Sequence, residues 1–67
     1  MSSVARVIEI SAQSKKSFED AIQSGLDRAE KTLRNVTSAW VKEQKVSVDG
    51  GKISGYEVNV LITFVLE

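Results

Sequence analysis

The side chains that could do chemistry in this 67-residue chain are one large aromatic ring and a few scattered carboxylates. Trp40, the only tryptophan, could form the wall of a ligand site. Glu43, Asp49 and Glu57 could supply hard oxygen ligands to a cation, although their spacing is not that of an EF-hand. Carboxylates are also ordinary residues of surfaces and turns, so the sequence leaves the metal ligands unknown.

Nucleophilic and zinc-dependent catalysis lack their usual residues. The chain contains no His and no Cys, so the serines have no imidazole base and the common zinc sites and disulfides are missing. No glycine-rich loop leads from a strand into a helix, which is the arrangement that cradles phosphates. The sequence therefore offers no catalytic residue and predicts that the protein is not an enzyme.

Charge and hydropathy exclude two further classes of partner. Nine Lys and Arg residues balance nine Asp and Glu residues, with no basic run, so no nucleic-acid partner is expected. No stretch approaches the roughly 20 apolar residues of a membrane-spanning helix, and the first residues do not resemble a signal peptide. The expected location is cytoplasmic, without a membrane partner.

Periodicity predicts four elements in the order β-α-β-β. Ser17 followed by acidic residues is typical of a helix N-terminus, and "DGGK" between two apolar runs is typical of a hairpin. Apolar residues alternate in the strands and recur every three or four positions in the helix. The predicted elements are a strand at Val4–Ile10, a polar connection at Ser11–Lys16, a helix at about Phe18–Arg34, and strands at about Ser38–Val48 and Ile53–Leu66.

Two local irregularities carry further information. Gly25 lies on the apolar stripe of the helix, where it costs roughly 1 kcal/mol of helix propensity against Ala, so the sheet or another chain is expected to come close there. In the second strand the apolar residues change from odd to even positions. A bulge or bend near Gln44 would explain that change.

The size of the chain favours self-association. A folded chain of this mass buries only roughly 60% of its surface, and one helix can cover only one face of the sheet. Val7, Leu61, Val65 and Trp40 then need cover from elsewhere. Because disulfides and zinc are absent, other copies of the chain are the expected cover.

The whole chain resembles the dodecins. The matching stretches are "VIEI" at 7–10, Ser14, "SFEDAIQSGLDRAEKTLRNV" at 17–36, "GK" at 51–52, "YEV" at 56–58, Phe64 and "LE" at 66–67. The resemblance implies a single dodecin-like domain over residues 1–67. It also implies an α+β fold in which a three-stranded antiparallel sheet wraps around one helix, assembling as a hollow homododecamer.

The resemblance also implies where a ligand would bind. In flavin-binding dodecins a Trp stacks on the isoalloxazine ring and a Gln hydrogen-bonds the ring edge; the corresponding positions here are Ser38 and Glu57. A Ser hydroxyl cannot replace an aromatic platform, and an ionised Glu has no proton to donate to a flavin carbonyl. The usual flavin site is therefore altered, and the chain looks closer to the branch without that Trp, described as calcium dodecins.

Trp40 leaves an alternative open, because it lies two residues beyond Ser38 and so on the same strand face. The indole could pack at a subunit contact or replace the missing flavin platform. Three functions result: a binding and storage shell that sequesters a small ligand or ion, a riboflavin- or FMN-binding dodecin that uses Trp40, and a ligand-free structural oligomer. Flavin and calcium are the possible cofactors, and neither is fixed by the sequence.

Overall fold

The computed structural model describes residues 2–66, so Met1 and Glu67, the last residue of the matched "LE" stretch, lie outside the described residues. The observed order is the predicted β-α-β-β. The elements are β1 at Val4–Ser14, α1 at Phe18–Glu30, β2 at Val36–Asp49 and β3 at Lys52–Leu66.

The three strands form one antiparallel sheet in the order β1-β3-β2, which confirms the predicted fold class. The last strand in the chain is thus the central one. Its even positions face α1, and Val58, Val60 and Ile62 are fully buried there. Its odd positions point the other way, because side chains alternate along a strand. The sheet surface that points away from α1 is called the outer face below.

The core lies between α1 and the sheet. Ala21, Gly25 and Ala29 are the buried residues of the helix, all small, and they bring its axis close to the strands. A β-carbon added at Gly25 would lie 3.1 Å from Cδ1 of Ile10 and 3.3 Å from Cβ of Ala12. The close approach predicted at Gly25 is confirmed, and β1 of the same chain makes it.

Two predicted boundaries are wrong. β1 continues through Ser11–Ser14, which was expected to be a polar connection, because Ala12 pairs with Val58 and packs against the core. The helix ends at Glu30 rather than near Arg34. Beyond it the chain tightens into a 3₁₀-type turn, where the amide of Thr32 donates to the Ala29 carbonyl, three residues back, at 3.1 Å.

Three local predictions are confirmed. Ser17 caps α1, since its Oγ accepts a hydrogen bond from the Asp20 amide at 2.9 Å. Gly50 and Gly51 turn the hairpin with φ angles of 59° and 79°, in the left-handed region that favours glycine. The register of β2 shifts between Val41 and Glu43, which accounts for the change in the apolar pattern.

The protomer is elongated. It measures 54 × 20 × 13 Å, and its radius of gyration is 13.9 Å, against about 11 Å for a typical domain of this length. One reason is the hairpin arm, residues 47–55, where β2 and β3 run on beyond Ser14, the last residue of β1. The helix within residues 2–66 lacks the length and apolar character needed to cross a membrane.

Candidate functional site

The three residues singled out for ligand binding, Ser38, Trp40 and Glu57, all lie on the outer face. Ser38 pairs with Thr63, Trp40 with Leu61, and Glu57 with Lys45. Glu57 and the two β3 partners, Thr63 and Leu61, alternate along β3 with its buried core residues. Their side chains, and those of Ser38 and Trp40 opposite them, therefore project away from α1. The candidate site is thus on the sheet face that the helix does not cover.

One chain does not bring these residues to one point. The β3 partner of Trp40 is four residues from Glu57, or roughly 13 Å along the strand, and the β3 partner of Ser38 is six residues away, or roughly 20 Å. Ser38 and Trp40 are close to each other, whereas Glu57 lies at the other end of the outer face. A small planar ligand could not touch both ends within one protomer.

Trp40 is open to solvent, with 73% of its surface exposed. Leu61 lies opposite it on β3, and Glu9 lies opposite Leu61 on β1. Lys42 reaches across the sheet, and its Nζ contacts Oε1 and Oε2 of Glu9 at 3.3 and 3.4 Å. The exposed indole therefore lies across from an apolar residue, on a sheet face that also carries an ion pair, an arrangement suited to a flat ligand or to a second protein surface.

Both carboxylate oxygens of Glu57 have partners within the chain. Nε2 of Gln13 donates to Oε1 at 3.1 Å, and Nζ of Lys45 lies 3.4 Å from Oε2. The three side chains form a polar row across β1, β3 and β2. Glu57 is only 23% exposed, so these contacts hold its carboxylate in one orientation.

The three carboxylates considered as cation ligands are not together in one chain. Glu43 accepts a hydrogen bond from Nδ2 of Asn59 at 3.1 Å and lines, with Glu57, a shallow hollow of about 150 Å³. Asp49 lies opposite Lys52 in the strand register, at the far end of the hairpin. Within residues 2–66, no group of three or more Asp, Glu, His or Cys side chains could hold a metal ion.

Sequence reasoning missed the cross-strand partners of the site, namely Gln13, Lys45, and the pair formed by Glu9 and Lys42. Their charges are visible in the sequence, but their pairing depends on strand register, which the β2 bulge shifts by one residue. The prediction that β1 ends before Gln13 also removed that residue from the sheet.

The geometry so far gives a β-α-β-β protomer with an uncovered outer face, and comparison with known proteins decides its family. The family model for dodecins matches residues 4–67. The chain belongs to the dodecin family. The resemblance stated from the sequence is thereby confirmed.

Individual dodecins resemble this one along nearly their whole length. The dodecin of Thermus thermophilus is 34% identical over 67 residues, which cover 100% of this chain and 97% of that one. A crystal structure of a Thermus thermophilus protein matches with a TM-score of 0.91 and 33% identity, covering 98% of this chain and 97% of the other. A calcium dodecin from Mycobacterium tuberculosis, described as calcium chelating, matches with a TM-score of 0.81 and 32% identity, covering 96% and 91%.

Proposed function

We propose that this dodecin is a non-enzymatic binding and storage protein, a hollow homododecamer that sequesters a small ligand or ion between its subunits. The observation that carries the proposal is the outer face, where a largely exposed Trp40 stands roughly 13 Å along the sheet from Glu57. A site that uses both ends of this face needs side chains from more than one copy. Twelve copies, a single domain over residues 1–67 and a cytoplasmic location are part of the same proposal.

The surface area of the protomer supports self-association. It exposes 5211 Å², whereas a compact monomer of 7.3 kDa exposes about 4,200 Å². The excess of about 1,000 Å² is comparable with the roughly 800 Å² that each partner buries in a stable interface. Five large apolar side chains outside the arm contribute to it: Val4, Val7, Trp40, Val46 and Leu66.

The chemistry of the site argues for a ligand other than flavin bound in the usual way. Ser38 offers no ring to stack on, and the carboxylate of Glu57 is already engaged by Gln13 and Lys45. Carboxylates are hard oxygen ligands, and the similarity to a calcium dodecin makes calcium the ion to test first. Assignment to the calcium branch remains a prediction.

Flavin binding through Trp40 is the second candidate. It is supported by the exposure of the indole, since a stacking platform must be open in the free protomer. Stacking on an aromatic side chain is worth about 1 to 3 kcal/mol per ring, enough to retain some affinity although position 38 has no aromatic ring. In this geometry the flavin would lie two residues further along β2 than in flavin-binding dodecins.

The first test combines native mass spectrometry of the untreated protein with titration of riboflavin, FMN and calcium. We expect a twelve-subunit mass and little quenching of micromolar flavin fluorescence by the wild type. The variant Ser38→Trp with Glu57→Gln should gain flavin quenching, because it restores the platform and the amide donor. The matched control is Ser38→Ala with Glu57→Gln, which restores the amide alone.

Each result separates the candidates. Strong quenching by the wild type that is lost in Trp40→Ala would replace the main proposal with the flavin candidate. A multimer that retains no mass and takes up neither flavin nor calcium would be a ligand-free structural oligomer. A monomer in native mass spectrometry would contradict the proposal itself.

A further inference from the structure

The hairpin arm, residues 47–55, has no cover within its own chain. It is a two-stranded ribbon beyond the end of β1, and such ribbons are marginally stable in water by themselves. Val48 and Ile53 pair across it, yet they are 62% and 56% exposed. The arm therefore presents an apolar pair that gains stability only from another surface.

A groove between α1 and β1 offers such a surface. It has a volume of about 470 Å³ and is lined mainly by apolar side chains and by the backbone at Gly25. Arg28 also lines it, and among the described residues the guanidinium of Arg28 forms no ion pair. The apolar lining residues are Ile8, Ile10, Ala12, Ala29 and Leu33.

The arm and the groove of one chain cannot meet. Ile10 in the groove pairs with Val60, which is seven residues along β3 from Ile53 in the arm, a separation of roughly 23 Å within one continuous strand. The arm carries one charge of each sign, Asp49 and Lys52 at its tip, and the groove carries Arg28. Asp49 at the tip of the arm makes no ion pair among the described residues, and it is opposite in sign to Arg28.

We propose that the hairpin arm of one copy docks in the α1–β1 groove of a second copy, with Val48 and Ile53 against the apolar lining and Asp49 at the edge of the contact, where the long Arg28 side chain can reach it. This inference rests on the proposed self-association and specifies the contact that produces it. The contact joins two different surfaces of the chain. Copies linked in this way either exchange arms in pairs or run head to tail into a closed ring, and both arrangements cover the arm.

A charge exchange tests the contact. Arg28→Asp and Asp49→Arg each place like charges at the interface, and each should raise the concentration at which the multimer dissociates by at least about tenfold. The double variant restores opposite charges, so its dissociation concentration should return to within about threefold of the wild-type value. Arg34→Asp, on an exposed residue outside the groove, is the matched control. Sedimentation velocity over a dilution series provides the measurement.

A covalent test is available because the natural chain has no cysteine. Arg28→Cys with Asp49→Cys, oxidised by air, should give disulfide-linked dimers or larger species on a non-reducing gel, whereas either single variant should run as single chains on the same gel. Ile53→Asp should weaken assembly by removing the apolar contact of the arm, while Arg28 and Asp49 are both kept. If the wild type is a multimer but the single charge reversals behave like Arg34→Asp, the docking inference is wrong and the proposed function stands. If the wild type is a monomer throughout, the proposed function fails first.

Discussion

Gly25 shows how one residue sets the distance between the helix and the sheet. In the middle of α1 a glycine lowers helix propensity, yet its missing side chain leaves room for Ile10 and Ala12 of β1. Cδ1 of Ile10 can move aside by rotation about its side-chain bonds, whereas Cβ of Ala12 is fixed to the strand. Any larger side chain must therefore push α1 away from the sheet.

We predict that Gly25→Val lowers the free energy of unfolding by about 2 to 3 kcal/mol, since overpacking outweighs the gain in helix propensity. Urea unfolding at a fixed protein concentration, followed by circular dichroism, measures the change. Gln23→Val is the matched control because Gln23 is exposed in the same helix and lies outside the groove, and it should change stability by less than about 1 kcal/mol. Equal stability of the two variants would contradict the close packing.

In the proposed function, Ser38, Trp40 and Glu57 give the outer face its ligand chemistry without changing the fold. The backbone still places Ser38 and Trp40 side by side and Glu57 in the central strand. What differs is the chemistry available at each point: a hydroxyl, a displaced indole and a carboxylate that already has two partners. The proposed site therefore uses side chains that contribute little to the core.

At the scale of elements, α1 depends on its N-terminal cap. Ser17 accepts from the Asp20 amide, while Ser14 Oγ donates to Oδ2 of Asp20 at 2.6 Å. Together these contacts connect the end of β1 to the first turn of the helix. The polar residues between the two elements thus direct the helix onto the sheet.

Ser17→Ala should lower the free energy of unfolding by about 1 kcal/mol, because the amide that Ser17 satisfies loses its partner. Ser17→Asp should retain most of the stability, since a carboxylate also accepts from the first turn and suits its positive end. Thermal unfolding at a fixed protein concentration compares the two. A loss of the same size in both variants would mean that the hydroxyl does not act as the cap.

The elements show what the sequence can and cannot predict. Strand and helix order, the cap at Ser17 and the glycine turn depend on neighbouring residues and could be read directly. The end of β1 could not, because Ser11 and Gln13 project to solvent and only tertiary pairing reveals that Ala12 reaches the core. The helix was extended too far because Leu33 continues its apolar stripe and still packs against the core from outside α1.

The same limit applies to the candidate site. The faces of Ser38 and Trp40 follow from strand periodicity, and the bulge was visible as a phase change in the apolar pattern. The partners of Glu57 depend on the registers of two long-range strand pairs. A sequence pattern gives each strand its faces, but the alignment of one strand with another is set by the whole core.

At the scale of the whole molecule, exposed area and shape lead to the same conclusion. An elongated protomer with a thin core, an uncovered outer face and a bare hairpin arm has apolar surface that a compact monomer would bury. Folding and assembly are then coupled, since each protomer gains stability from the surfaces its neighbours cover. The stability of this dodecin should consequently depend on its concentration.

We therefore predict that the thermal unfolding midpoint rises with protein concentration, whereas that of a monomeric protein would stay constant.

Trp40 supplies a second readout, because it is the only tryptophan and is 73% exposed in a lone protomer. Its fluorescence should shift to longer wavelength after dilution dissociates the assembly. Trp40→Phe is the control, because it removes the tryptophan emission but keeps an aromatic ring at position 40. Sedimentation must show the loss of the large species over the same concentrations. A folded species of single-subunit mass at micromolar concentration, with an unfolding midpoint that does not change on dilution, would contradict the coupling of folding to assembly.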